Sequence, residues 1–255
     1  MSMQETKYYD DAFYAELNDG SYLSAKKILP VINELFKPAS VVDIGCGVGY
    51  WVKVWKDDLQ VNDVLGIEGT YMTQDLYELD KQYLMTADLK MPLTLPKKYD
   101  LVMSMEVAEH IPEDHADIFI KNLVDAGDII LFSAAIKGQL GTYHINEQMP
   151  EYWAEKFKKH NYKVVDFIRP AIWNDTSIAY WYRQNTLLFI KEERVNEFPQ
   201  LKKAAEITDA AYLTRIHPEK YFAYVEENNQ LRSIGGFIKY KLYLLKKRLK
   251  GDKTP

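Results

Sequence analysis

The run Val41-Val42-Asp43-Ile44-Gly45-Cys46-Gly47-Val48-Gly49-Tyr50 constrains this chain more than any other segment. A β-branched stretch, apolar at nearly every residue, reads as a strand covered on both faces, as in a parallel sheet. It passes straight into a glycine-rich turn, where missing Cβ atoms let a ligand approach backbone, and then into a helical pattern. A dinucleotide loop would carry its third glycine where this chain has Tyr50, and the spacing here is G-x-G-x-G. Asp43 places a carboxylate where a pyrophosphate would be repelled, so the turn suits a cationic or zwitterionic ligand. A tight strand-to-helix turn with no ligand has the same pattern.

From Lys37-Pro38 to Glu192-Glu193, short β-branched runs alternate with amphipathic helical patterns, the arrangement of an α/β fold with crossover helices. Strands are predicted at 40–44, 63–67, 82–86, 99–104, 128–133, 162–168 and 185–190. Before them, Ile28, Ile32, Leu35 and Phe36 form one helical stripe within 21–36, with Ser21 as its cap. After them comes a helical extension over about 197–250. Three regions follow: an N-terminal helical lid at 1–37, a ligand-binding core at 38–192, and a C-terminal helical extension at 193–255.

The 255 residues carry a formal charge of −5 and a single cysteine. An internal disulfide is therefore excluded, and the acidic balance argues against a nucleic-acid partner. The N-terminus shows no basic segment leading into an apolar one, and no apolar run approaches the ~20 residues of a membrane span. A cytoplasmic protein is expected.

Two more acids fall at predicted strand ends. Glu68, in Leu65-Gly66-Ile67-Glu68-Gly69, has two oxygens able to accept hydrogen bonds from a ribose diol. Asp88, in Thr86-Ala87-Asp88-Leu89, is placed to take an adenine amino group. Open α/β sheets bind ligands at the C-terminal ends of their strands. Acids after strands one, two and three together mark such a site better than a lone helix cap would.

These residues, with Met105-Glu106-Val107-Ala108-Glu109-His110, resemble the motif set of class I S-adenosylmethionine-dependent methyltransferases over about residues 20–190. The continuation through Phe132-Ser133-Ala134-Ala135 and Gly141-Thr142-Tyr143-His144-Ile145-Asn146-Glu147-Gln148 to Tyr152-Trp153 resembles a bacterial and phage subgroup associated with modification of surface-glycan precursors. The resemblance implies a Rossmann-like, mostly parallel seven-stranded sheet of order 3-2-1-4-5-7-6, with helices on both faces and the last strand antiparallel. It implies S-adenosylmethionine as cofactor, with Asp43, Gly45, Gly47 and Gly49 at its methionine end, Glu68 at the ribose and Asp88 at the adenine. Tyr50, Gly69, Leu89, Met105 and Glu106 are counted with the same cofactor-binding set.

Methyl transfer from a sulfonium needs positioning and a dry site more than covalent help. An alcohol acceptor ionises far above neutral pH, so a general base helps, and histidine, with a reference pKa of about 6.5, suits that task. Of five histidines, His144 is the expected base, because it sits in a polar loop after strand five, with His110 as second choice. Glu109 and Glu113 flank His110 without forming a compact ligand set, so no metal is expected.

The acceptor is expected to meet Tyr14, Tyr22, Asn146, Gln148, Arg169, Trp173 and Trp181, since aromatic faces suit a sugar and arginine suits a phosphoryl group. The expected activity is O-methylation of a small polar acceptor, a saccharide or a phosphoryl-modified (for example phosphoramidate) precursor of a cell-surface glycan. N- or carboxyl-methylation of a metabolite, and an inactive cofactor-binding partner subunit, stand as alternatives. In the tail, Leu231, Ile234, Ile238, Leu242, Leu245 and Leu249 recur at helical spacing, and eight basic residues from Arg232 onward face only Asp252. Docking of this stripe on the domain or in a homodimer is favoured over contact with an anionic membrane surface, and Gly235-Gly236 is read as a hinge.

Overall fold

In the computed structural model, residues 11–69 and 77–249 are described. The first strand, β1 (Ser40–Ile44), is buried at every position, including the polar Ser40 and Asp43, as a strand covered on both faces requires. It leads to α2 (Tyr50–Lys53), which continues as a π-helical turn through Asp58. Before it stands α1 (Asp11–Phe36). The remaining strands are β2 (Asp63–Glu68), β3 (Leu84–Thr86), β4 (Leu101–Met105), β5 (Ile129–Ser133), β6 (Tyr162–Val165) and β7 (Leu187–Lys191). They form one sheet of order β3-β2-β1-β4-β5-β7-β6, the order the resemblance implied. Neighbours from β3 to β5 are parallel, and β7 runs antiparallel to both β5 and β6.

Successive residues of a strand point to opposite faces, and the core divides accordingly. Val41, Leu101, Met103, Leu131 and Leu188 join one cluster, with Ile28, Leu29 and Ile32 of α1 and with Trp51 and Trp55. Val42, Val102, Ile130, Phe132 and Phe189 join the other. That second face is covered by α3 (Ala116–Ala126) and α4 (Pro150–Lys158), from which Phe157 stacks on Phe189 with centroids 3.9 Å apart. Truncating a buried phenylalanine like this one costs about 3–5 kcal/mol. Two short helices, α5 (Ile168–Ile172) and α6 (Tyr180–Asn185), lie between β6 and β7.

Two expectations are revised. Ser21 does not cap α1, which already spans it from Asp11; its hydroxyl instead accepts from Trp51 Nε1 at 2.9 Å. The strand expected to reach residue 168 ends at Val165, where the chain turns into α5. The first part of the segment after β7 packs into the core. Val195, Leu201 and Ala205, the last in α7 (Lys202–Ile207), are buried in the first cluster, and Leu213 is buried in the second.

The chain divides into two compact units, residues 1–215 and 216–255. The second contains α8 (Pro218–Arg232) and α9 (Ile234–Leu249). The break falls at Ser233, which is extended, rather than at the glycine pair. Gly236 sits in the first turn of α9, where a Cβ would collide with the Gln230 carbonyl, so glycine permits the close approach of the preceding helix end. Ile238, Leu242 and Leu245 are exposed. No helix among the described residues is long and apolar enough to cross a membrane.

Candidate active site

A cavity of about 440 Å³ opens at the C-terminal ends of β1, β2, β4 and β5, where an open α/β sheet of this topology places ligands. At its β1 end the backbone N–H groups of Gly45 and Cys46 donate to the Ile67 carbonyl at 2.8 and 3.0 Å, tying the turn to β2. Gly47 has φ of 54° and nothing within 4 Å of where its Cβ would stand, so its backbone is open to a ligand. Gly45 and Gly47 both line the cavity. Gly49 instead precedes α2 as its left-handed N-terminal residue. Tyr50 lines the cavity and packs on Tyr22 of α1 at 5.4 Å between centroids; Tyr22, expected at the acceptor, stands behind Tyr50 and does not itself line the cavity.

Asp43 is 1% exposed, and its Oδ1 has no hydrogen-bond partner among the described residues. Burial, and then the neighbouring Glu68 charge, hold its carboxyl well above the usual carboxylate range. Glu68 accepts from Gly47 N–H at 2.6 Å and Gly69 N–H at 2.7 Å, one per oxygen, and so braces the glycine turn. Asp88 is exposed and accepts from Lys90 N–H at 3.0 Å. It lines the same cavity as Glu68, Gly69, Leu89 and Met105.

At the end of β4, Glu106 adopts φ of 56°, uncommon for a side-chain-bearing residue and a recurrent feature of functional sites. Its N–H donates to the Ser133 carbonyl at 3.0 Å, and its carboxylate accepts from Gln139 Nε2 at 3.0 Å and Asn185 Nδ2 at 3.1 Å. Burial raises its pKa, against the pull of those donors.

The next turn carries Glu109 and His110. Glu109 is fully buried; Oε1 accepts from Ala135 N–H at 3.1 Å, while Oε2 has no partner among the described residues. Burial, and next the Glu106 charge, push its pKa well up. His110 Nδ1 donates to the Tyr143 carbonyl at 3.1 Å, and burial followed by the neighbouring His144 lowers its pKa to about 4. His144 Nδ1 meets Glu147 Oε1 at 2.9 Å. Gly141 makes room for this imidazole, since a Cβ there would strike the ring. One ligand atom from each of Glu109, His110 and His144 lies within 4.8 Å of the others. The sequence reading set Glu109 beside Glu113 and found no compact set; the third member arrives from the loop after β5.

Of the residues expected at the acceptor, Trp181 lines the cavity. Arg169 is a correction: it is fully buried, its guanidinium pairs with Asp166 at 2.8 Å through two nitrogens, and it also donates to the carbonyls of Gln184 and Leu213. It holds α5 to its neighbours and offers nothing to a phosphoryl group. Asn146 and Gln148 are likewise corrected to bracing roles, Asn146 Nδ2 donating to the Ile111 carbonyl and Gln148 Nε2 to Asn146 Oδ1. Trp173 lies off the cavity wall and accepts through its carbonyl from Arg183 at 3.3 Å. The Tyr14 side chain lies outside the described residues.

Sequence reasoning missed Ser21, Gln139 and Tyr182 as lining residues. Gln139 stands between Gly138 and Gly141 in the loop already marked as polar, which was the available signal. Ser21 was hidden because a serine near an apolar stripe reads as a cap.

The methyltransferase domain family model matches residues 17–166. A curated relative, the ubiquinone biosynthesis O-methyltransferase of Burkholderia thailandensis, is 28% identical over 185 residues, covering 68% of this chain and 75% of the relative. Among solved structures, the plantazolicin methyltransferase BpumL in complex with a monoazolic desmethylPZN analog and SAH superposes with a TM-score of 0.53 at 16% identity, covering 74% of this chain and 90% of that one. Its complex with a triazolic analog gives a TM-score of 0.52 at 16% identity, over 74% and 92% of the two chains. These two carry the fold likeness.

S-Adenosylmethionine fits the residues present. Its sulfonium and ammonium charges answer the unpartnered, buried Asp43 oxygen and the Asp43–Glu68 like-charge pair, and its bulk answers the open face at Gly47. With the family model covering residues 17–166, the chain belongs to the methyltransferase domain family and is an S-adenosylmethionine-dependent methyltransferase.

Proposed function

We propose that the chain methylates a hydroxyl oxygen of a small polar acceptor, a saccharide precursor of a surface glycan. The observation that carries this reading is the convergence of Glu109, His110 and His144 in the same cavity as the cofactor acids Asp43, Glu68 and Asp88. A hydroxyl must shed its proton as its oxygen is methylated, and this cluster is where such a proton can leave. The curated relative's name, an O-methyltransferase, supports the same atom. The aromatic wall of Tyr180, Trp181 and Tyr182 suits a sugar face. A phosphoryl-bearing acceptor draws less support, because Arg169 and Arg183 are both buried and off the cavity wall.

S-Adenosylmethionine, when bound, would supply an electrophilic methyl group on its sulfonium. The protein's part is to bind, orient and dry. Asp43 and Glu68 hold the charged and ribose ends, the Glu106 network fixes the floor, and the acceptor's proton departs at the histidine cluster. The test is incubation with isotopically labelled cofactor and a panel of sugars, nucleotide sugars, phenols and amines, with product structures solved by NMR. O-methylated saccharide is expected; N-methylated or carboxyl-methylated product with no O-methyl product overturns the reading.

A further inference from the structure

We infer that Glu109, His110 and His144 form a binding site for one divalent first-row transition-metal ion, seated at the acceptor end of the cavity. The ligand set is two imidazoles and one carboxylate drawn from two loops, with the ligand atoms mutually within 4.8 Å. That chemistry suits Mn2+, Fe2+, Co2+ or Zn2+, and three protein ligands leave coordination positions open to the cavity.

Three observations support the site beyond the cluster itself. Glu109 Oε2 is buried without a hydrogen-bond partner among the described residues, and a buried carboxylate oxygen left unpaired is costly. The Tyr143 carbonyl can only accept, so His110 Nδ1 carries the hydrogen and Nε2 the lone pair. Glu147 does the same for His144; its two oxygens are already held by the N–H groups of Gly138 and Leu140, which fix it as a carboxylate acceptor. Metal-binding histidines characteristically donate their second ring nitrogen to a carbonyl or carboxylate in this way.

The site itself stands on these side chains whatever the acceptor. Its task rests on the O-methylation reading: an ion here coordinates the acceptor oxygen and lowers the hydroxyl's pKa, so that the proton passes to water and the histidines act as ligands rather than as a free base.

The full-length protein, stripped with EDTA and dialysed, is titrated with Mn2+ by calorimetry and with Co2+ by visible absorption. One-to-one binding is expected, with d–d bands reporting nitrogen and oxygen ligation. His110→Ala and His144→Ala should each weaken binding at least tenfold, and the positioning variant Glu147→Gln about 10- to 100-fold. Circular dichroism and calorimetry with S-adenosylhomocysteine accompany every variant, so that a misfolded Glu109→Gln is recognised and the two histidine variants decide. Absence of binding by Mn2+, Co2+ and Zn2+ at 1 mM in protein that still binds S-adenosylhomocysteine overturns the site, as does undiminished binding in both histidine variants. Full O-methyl transfer in EDTA overturns the ion's task in the reaction, whereas metal binding with exclusively N-methylated product overturns the acceptor reading alone.

Discussion

The imidazoles of His110 and His144 meet edge to face, with centroids 4.9 Å apart and planes at 84°. The first follows β4 and the second follows β5, and these strands pair in parallel from Val102↔Ile130 to Met105↔Ser133. Parallel neighbours deliver their following loops to the same edge of the sheet, so the pairing itself brings the rings together. Two such rings repel when both are protonated, which adds to burial in lowering the His110 pKa to about 4. His110 is therefore neutral at physiological pH.

Asp43→Asn should stabilise the free protein at neutral pH while weakening the cofactor. A buried carboxyl with its folded-state pKa raised is destabilising once ionised, and this cost develops as pH rises from the unfolded value through the raised folded one. Removing the charge should recover about 1–3 kcal/mol, read by thermal unfolding. Wild-type affinity for S-adenosylmethionine should rise with pH through the same window, because the ligand's positive charge favours ionised Asp43. Calorimetry showing an equally steep pH dependence in the variant would sink this account.

Glu68→Ala should weaken S-adenosylmethionine binding by about 1.5–3 kcal/mol, the range for hydrogen bonds to a charged group. The loss has two sources, since Glu68 also holds the Gly47 and Gly69 N–H groups. Unchanged affinity would move the ribose contact elsewhere.

Arg169→Ala should cost about 3 kcal/mol of stability, because it strands the buried carboxylate of Asp166. Arg215 also pairs with Asp166 at 2.9 Å and keeps the loss near the lower end of that range. Cofactor affinity should hold below the new melting temperature. A selective fall in acceptor binding with unchanged stability would restore the substrate role that the sequence suggested.

A chain ending at Arg215 should unfold cooperatively and bind S-adenosylhomocysteine with unchanged affinity, since every cavity residue lies in the first compact unit. Size-exclusion chromatography with light scattering, and flotation with anionic liposomes, then assign the exposed stripe of Ile238, Leu242 and Leu245. Loss of a dimer on truncation favours docking between copies; salt-sensitive flotation by the full chain alone favours a membrane surface.

What was legible in the sequence was local. The strand and glycine turn at 41–50 and the acids Glu68 and Asp88 could be found because each sits beside the strand that positions it. The cluster of Glu109, His110 and His144 was not legible as a set, because its third member depends on which strands lie side by side. Arg169 was misread for a related reason: a buried arginine looks like a free one until Asp166 and the carbonyls of Gln184 and Leu213 are seen around it. The start of α1 was misplaced because Ser21 offers a cap signal well inside a longer helix.

The polar net joining Glu106, Gln139 and Asn185 draws on three separate segments: the end of β4, the loop after β5 and the end of α6. Because Glu106 also lines the cavity, those segments cannot diverge independently. A change at Gln139, which lines the cavity, or at Asn185 behind it disturbs the end of β4 at the same stroke. The exposed turn at Leu140, Gly141 and Thr142 lines the same cavity without touching that net. Gly141 is held by the His144 ring, so the exposed side chains of Leu140 and Thr142 are where this loop can vary most freely.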